Sequence, residues 1–120
     1  MHIRGCGRDS RQLIKAQMKE NPDFFIGAFE GSRLIGSAIA SSDGRKGWIN
    51  RLSVDPGFRR KGIARALIAE AEEVLRKRGV QVFAALIVDS NEASKSLFKK
   101  CGYTELGFIK YFSKRESEEA

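Results

Sequence analysis

Leu52-Ser53-Val54-Asp55-Pro56-Gly57-Phe58-Arg59-Arg60-Lys61-Gly62-Ile63-Ala64 is the stretch that decides the fold. An apolar strand ends at Asp55-Pro56, a short basic loop follows, and a helix opens at Gly62. The first turn of a helix carries N–H groups with no intrahelical acceptor, and the macrodipole places about half a positive charge there. A glycine at the helix start lets an anion approach those donors. Ala64 keeps the same face low, and Arg59, Arg60, Lys61 and Arg65 surround it with formal positive charge. The arrangement suits a pyrophosphate; the competing interpretation is an ordinary strand-to-helix turn with solvated basic residues. Two familiar phosphate loops are excluded. Gly57 and Gly62 have P-loop spacing, but Ile63-Ala64 stand where Lys-Ser/Thr is required. The dinucleotide fingerprint Gly-x-Gly-x-x-Gly is absent.

Upstream of this stretch, Asp9 or Ser10 can cap a short helix with Leu13, Ile14 and Met18 on one face, ended by Asn21-Pro22. Residues 24–29 and 34–40 have strand character around the turn Glu30-Gly31-Ser32, and residues 48–54 form the strand that enters the loop. Downstream, Ile63, Leu67, Ala71, Val74 and Leu75 form an apolar stripe on a helix running to Arg78, with Gly79 just past its end. Residues 80–88 are almost uninterruptedly apolar, the pattern of a strand buried on both faces. Asp89-Ser90-Asn91 caps a further helix ending at Gly102, and residues 103–106 and 108–113 are strand-like around Gly107. The expected architecture is one α/β domain over residues 1–120, with residues 114–120 a frayed charged tail.

Composition narrows the function classes. The hydrophobic fraction of 42% and charged fraction of 31% are those of a soluble globular protein. No apolar run approaches the ~20 residues of a membrane-spanning helix, and the N-terminus lacks a signal-peptide core, so no membrane partner is expected. Cys6 and Cys101 lie far apart without metal-ligand spacing, and His2 is the sole histidine; a reduced cytoplasmic setting and no metal are expected. The net charge of +7 fits anionic ligands or nucleic acid. Against specific nucleic-acid binding, Trp48, Phe58 and Tyr103 are not interleaved with the basic residues as a stacking platform requires. Basic residues at helix C-terminal ends (Arg76, Lys77, Arg78, Lys99, Lys100) already oppose the macrodipole.

Arg59-Arg60-Lys61-Gly62-Ile63-Ala64 matches the Gln/Arg-x-x-Gly-x-Gly/Ala signature of the GNAT acyl-CoA N-acyltransferases. The segment from Asn91 to Tyr103 resembles that superfamily's Asn-x-x-Ala-x-x-Leu-Tyr-x-x-x-Gly-Phe/Tyr block, in the right order and with a helix and a strand between. The resemblance extends from about residue 24 to 113 and is nearest to the compact YpeA-like branch of prokaryotic members. It implies a mixed, mostly antiparallel sheet with a central splayed parallel strand pair and flanking helices. It also implies acetyl-CoA as co-substrate, with Leu52, Ser53, Val54, Arg59, Arg60, Lys61, Gly62, Ile63, Ala64, Arg65, Asn91, Ser94 and Phe98 as its binding residues. The implied activity is transfer of an acetyl group to a primary amine by direct attack in a ternary complex. The amine belongs to a small molecule or a peptide.

Three departures from the family pattern matter. Phe98 stands where the pattern usually has the Tyr assigned as general acid, so no acid is assigned. Asp89, Asn50 and Ser94 are the catalytic candidates, with Asp43 and Asp55 as further carboxylates for the base. His2-Ile3-Arg4 resembles the opening of the first strand, but the long helix expected after it is missing; a homodimer in which a second subunit covers the acceptor groove is one consequence. The connection at Gly107 is short. Two other functions stay open on this basis: a CoA-binding regulatory module without catalysis, and a small basic nucleic-acid-binding domain.

Overall fold

Glycine spacing decides how the long helix meets the sheet. The computed structural model describes residues 2–5 and 21–116. Its strands are β1 (His2–Gly5), β2 (Phe25–Glu30), β3 (Arg33–Ser42), β4 (Lys46–Val54) and β5 (Val82–Ala84). Its helices are α1 (Ile63–Lys77) and α2 (Glu92–Lys100), with 3-10 turns at Pro22–Phe24 and Pro56–Phe58. The chain divides into two compact units at Val88/Asp89. The expected helix near Leu13 lies outside the described residues.

In the first unit the strands lie in the order β1-β2-β3-β4-β5; β1 to β4 are antiparallel neighbours and β4–β5 is parallel. Ile63, Leu67, Ile68, Ala71, Val74 and Leu75 are buried along one side of α1, as the apolar stripe requires. A Cβ on Gly36 of β3 would lie 3.3 Å from both Ile63 Cγ2 and Leu67 Cδ1. One on Gly47 of β4 would lie 2.6 Å from Leu75 Cδ1 and 3.0 Å from Val80 Cγ1. The two glycines therefore let α1 close on the sheet at both of its ends. After α1, Arg78 donates to Asn21 Oδ1 (2.9 Å) and Asp23 Oδ1 (2.6 Å), and its guanidinium carbon lies 4.3 Å from the Phe24 ring centroid. This pins the helix end to the turn before β2.

The mixed, mostly antiparallel sheet with one parallel pair is the architecture found, but that pair lies at the edge of the described sheet, not in its centre. The physical reason is that residues 103–113 form no strand. No described strand pairs with them, so their main chain is not satisfied as β structure despite the apolar composition. Leu106, Phe108, Ile109, Tyr111 and Phe112 are accordingly exposed. The apolar run 80–88 likewise yields only the three-residue β5, with Val82, Leu86 and Val88 exposed. The exposed side chains overturn the expectation of a strand buried on both faces, and among the described residues β5 is also an edge strand.

In the second unit, Asn91 caps α2 by accepting from the Ser94 N–H (3.1 Å). The expected capping segment therefore works through Asn91 and not Asp89. Phe98 is buried and its ring meets that of Tyr103 edge-on, centroids 5.0 Å apart at 88°.

Overpacking under α1 should be costly where the glycine contact is tight. Gly47→Val is expected to destabilise by about 1–3 kcal/mol, because Leu75 is fully buried and cannot swing away. Gly57→Ala, whose Cβ would meet only Asp55 Oδ1 at 3.8 Å, should stay within about 0.5 kcal/mol of the parent. Urea unfolding of both variants checks the contrast.

Candidate active site

The turn from β4 into α1 is built around Asp55. Its N–H donates to the Ile35 carbonyl (2.8 Å), and its own carbonyl accepts from the Phe58 N–H (2.8 Å). Its carboxylate takes the Gly57 N–H on Oδ1 (3.2 Å) and the Arg33 guanidinium on Oδ2 (2.9 Å). Pro56 sits at the first position of the 3-10 turn, where its missing N–H costs nothing. Asp55 is thereby a structural residue of the loop, with its oxygens committed to it.

After this turn the chain takes two left-handed steps, Arg60 at φ 64° and Gly62 at φ 78°. Glycine adopts that conformation freely, whereas a residue with a Cβ such as Arg60 is held there at a cost of roughly 1–2 kcal/mol. Gly62 is the N-cap of α1 and no side chain caps the helix. The first intrahelical bond runs from the Ala66 N–H to the Gly62 carbonyl (3.1 Å). The N–H groups of Gly62, Ile63, Ala64 and Arg65 therefore have no intrahelical acceptor. A Cβ at Gly62 would meet nothing within 4 Å, so the space before these donors is open. Ile63 is a core residue, so only its N–H belongs to this site.

The basic residues of the loop divide into two sets. Arg59 Nε donates to the Val54 carbonyl (3.4 Å), and Lys61 Nζ lies 5.4 Å from the Phe58 ring centroid. Arg60 and Arg65 are exposed and make no hydrogen bond or ion pair among the described residues. They are the cations available to an anion at the helix start.

The edge of β4 supplies a second feature. β5 pairs with Lys46, Gly47 and Trp48 only, while β4 runs on to Val54; beyond Trp48 its outer edge has no strand beside it among the described residues. The register with β3 shifts from Ser37↔Ser53 to Ile39↔Asn50, so Arg51 and Leu52 together face Ala38. This is a β-bulge, with Arg51 at φ 50°. Main-chain bonding alternates along an antiparallel ladder. Counting back from the Asp55–Ile35 bond, and forward from the Asp43 N–H bond to the Lys46 carbonyl (3.3 Å), leaves Arg51, Leu52 and Val54 with main-chain groups aimed away from β3. A row of donors and acceptors thus lines the open edge, ending at the loop with the Val54 carbonyl, which already accepts from Arg59 Nε.

The catalytic candidates fare differently. Asn50 is half-buried and donates through Nδ2 to Ser41 Oγ (3.1 Å). Ser94 is half-buried in the first turn of α2. Asp89 accepts from Lys95 Nζ (3.0 Å), which lowers its pKa below the ordinary carboxylate value and raises that of Lys95. Asp43 is lowered as well, by the N–H groups of Lys46 and Arg45 on its carboxylate. Both carboxylates are poorer bases than a free one, and an alkylammonium near pKa ~10.4 already makes a demanding substrate for a carboxylate. Asn91 and Phe98 are, respectively, the cap and a buried ring of α2; Leu52 and Val54 line the open β4 edge, whereas Ser53 pairs with Ser37 of β3. Sequence reasoning missed Arg33, Phe58 and the bulge at Arg51–Leu52. Among the described residues no group of three His, Cys, Asp or Glu could hold a metal ion, and no helix is long and apolar enough to cross a membrane.

Comparison with known proteins identifies the family and the fold. An acetyltransferase of Pectobacterium atrosepticum is 32% identical over 101 residues, covering 84% of this chain and 72% of the relative. An aminoglycoside acetyltransferase from an uncultured soil metagenomic sample superposes with a TM-score of 0.74 at 26% identity, over 92% of this chain and 78% of the other. AAC(6')-Iy, solved with a CoA-S-monomethyl-acetylneamine bisubstrate analogue, superposes with a TM-score of 0.73 at 22% identity, over 90% and 82%. The model of the acetyltransferase (GNAT) family matches residues 4–103, and the chain belongs to that family.

Proposed function

We propose that the chain moves an acetyl group from acetyl-CoA to a primary amine. The observation that carries this reading is the uncapped start of α1, with its open approach at Gly62, placed at the end of an unpaired β4 edge. The N–H groups of Gly62, Ile63, Ala64 and Arg65 would hold the pyrophosphate, with charge from Arg60 and Arg65. The exposed edge at Leu52 and Val54 would bond the pantetheine amides as an added strand does. Arg59, Lys61 and Ser53 belong to the same proposal, Arg59 and Lys61 as residues that shape the loop. Asn91, Ser94 and Phe98 enter it only through the motif they share with the family.

The chemistry then asks little of side chains. A main-chain N–H at the bulge, from Arg51 or Leu52, would polarise the thioester carbonyl, a fixed dipole that needs no reorganisation as charge develops. The amine nitrogen bonds to the carbonyl carbon, the C–S bond breaks, and the thiolate takes a proton from water. A thiol of pKa ~8.5 is a tolerable leaving group without a dedicated acid. Phe98 at the usual acid position is consistent with that route. The proton lost by the amine is proposed to leave through a water held by Asn50 and Ser53, because Asp43 and Asp89 are engaged by their own partners. The soil metagenomic neighbour at 26% identity is named an aminoglycoside acetyltransferase, which supports a small amine acceptor of that class.

Acetyl-CoA at a hundredfold excess over Kd should stabilise the fold by about 2.7 kcal/mol, a rise of several degrees in Tm; no shift at millimolar ligand would remove the proposal. Gly62→Glu should abolish CoA binding, since the new carboxylate sits in the phosphate position, whereas Lys77→Glu at the far end of α1 should bind as the parent does. Thiol release from acetyl-CoA should accelerate with at least one member of an amine panel comprising an aminoglycoside, spermidine and a peptide with a free N-terminus. Binding without thiol release across the panel would mark a non-catalytic CoA-binding module.

A further inference from the structure

The loop that ends in Gly62 contains the left-handed residues Arg60 and Gly62, and one contact from outside it braces Asp55 and Phe58. That contact comes from Arg33, at the start of β3 and 22 residues from Asp55 in sequence. Its guanidinium meets Asp55 Oδ2 at 2.9 Å and lies 5.7 Å from the Phe58 ring centroid. The same ring has Lys61 Nζ at 5.4 Å on it, and Asp55 holds the N–H groups of Gly57 and Phe58 through Oδ1 and its carbonyl. One cation thus touches both fixed points of the loop: the carboxylate at its entry and the aromatic ring in its middle.

We propose that Arg33 is a positioning residue for the phosphate site, acting through Asp55 and Phe58 and not by contact with the ligand. This rests on the proposed CoA site at the start of α1. By tying Asp55 and Phe58 together it keeps residues 57–62 in the shape that presents the Gly62–Arg65 N–H groups before ligand arrives. It also neutralises Asp55, the carboxylate within the loop itself and a repulsive charge for an incoming pyrophosphate. The Arg33 side chain is 66% exposed and that of Asp55 31%, so the pair is screened and its effect is modest.

The test is a double-mutant cycle on CoA binding, measured by calorimetry with Arg33→Ala, Asp55→Asn and the double variant, and repeated with S-acetylpantetheine, which lacks the pyrophosphate. Arg33→Ala should weaken CoA about fivefold and leave S-acetylpantetheine unchanged, and Arg33→Lys should recover part of the loss. Asp55→Asn keeps the acceptor for the Gly57 N–H but loses the ion pair. It should also weaken CoA, although removing an anion would by charge alone tighten it, and the double variant should lose no more than either single one. If Arg33→Ala weakens CoA while Asp55→Asn strengthens it, Arg33 is a direct phosphate ligand and the proposal is wrong. Unchanged CoA affinity in Arg33→Ala, or equal losses for both ligands, also overturns it. A parent protein that binds no CoA refutes the underlying site, a result distinct from any of these.

Discussion

Close contact between α1 and two glycine positions of the sheet is the constraint from which the remaining geometry follows. Gly36 lies under Ile63 and Leu67 near the helix start, and Gly47 lies under Leu75 near its end. A helix seated at two points has its axis fixed, and so its first turn has a fixed place beyond the end of β4. Buried Ile63 and Leu67 anchor the start from the core side while Gly62 leaves the solvent side bare. An anion site made of main-chain N–H groups needs this rigidity, because such donors cannot reach toward a ligand as a lysine does.

Electrostatics then divides the work among like-charged residues. The loop and its surroundings are rich in arginine and lysine, but several are occupied by the fold: Arg33 of β3 by Asp55, Arg59 by the Val54 carbonyl, and Lys61 by the Phe58 ring. Arg60 and Arg65 stay available. The carboxylates follow the same logic. Asp43 closes the β3–β4 turn, Asp55 the β4–α1 turn, and Asp89 pairs with Lys95, so each carboxylate considered as a base already has structural work. The proposed acyl transfer accordingly leans on main-chain dipoles and solvent.

Much of the first unit was legible in the chain itself. The strand-loop-helix turn, the apolar stripe of α1 and Gly62 at the helix start all follow from local rules that the fold obeys, and the observed helix begins one residue after the expected glycine. What sequence could not show depends on pairing across the sheet. The bulge at Arg51–Leu52 exists only because two residues of β4 face one of β3, and neither residue is the glycine that would signal it. Arg33 and Asp55 meet through the β3–β4 register, which no local pattern encodes. The errors have a common cause as well. Residues 80–88 and 103–113 carry strand composition, but composition makes a strand only where the chain actually bonds a neighbour, and of these residues only Val82–Ala84 do so. In the second unit Asn91 reads correctly as the cap, while the nearby Asp89 is drawn to Lys95 instead.

The most direct test of the central claim is an amide chemical-shift titration of the 15N-labelled protein with CoA. The account predicts that the largest shifts fall on the N–H groups of Gly62, Ile63, Ala64 and Arg65, followed by Leu52 and Val54 along the β4 edge. Shifts concentrated instead on the exposed apolar segment 106–112, with the α1 start unmoved, would contradict it.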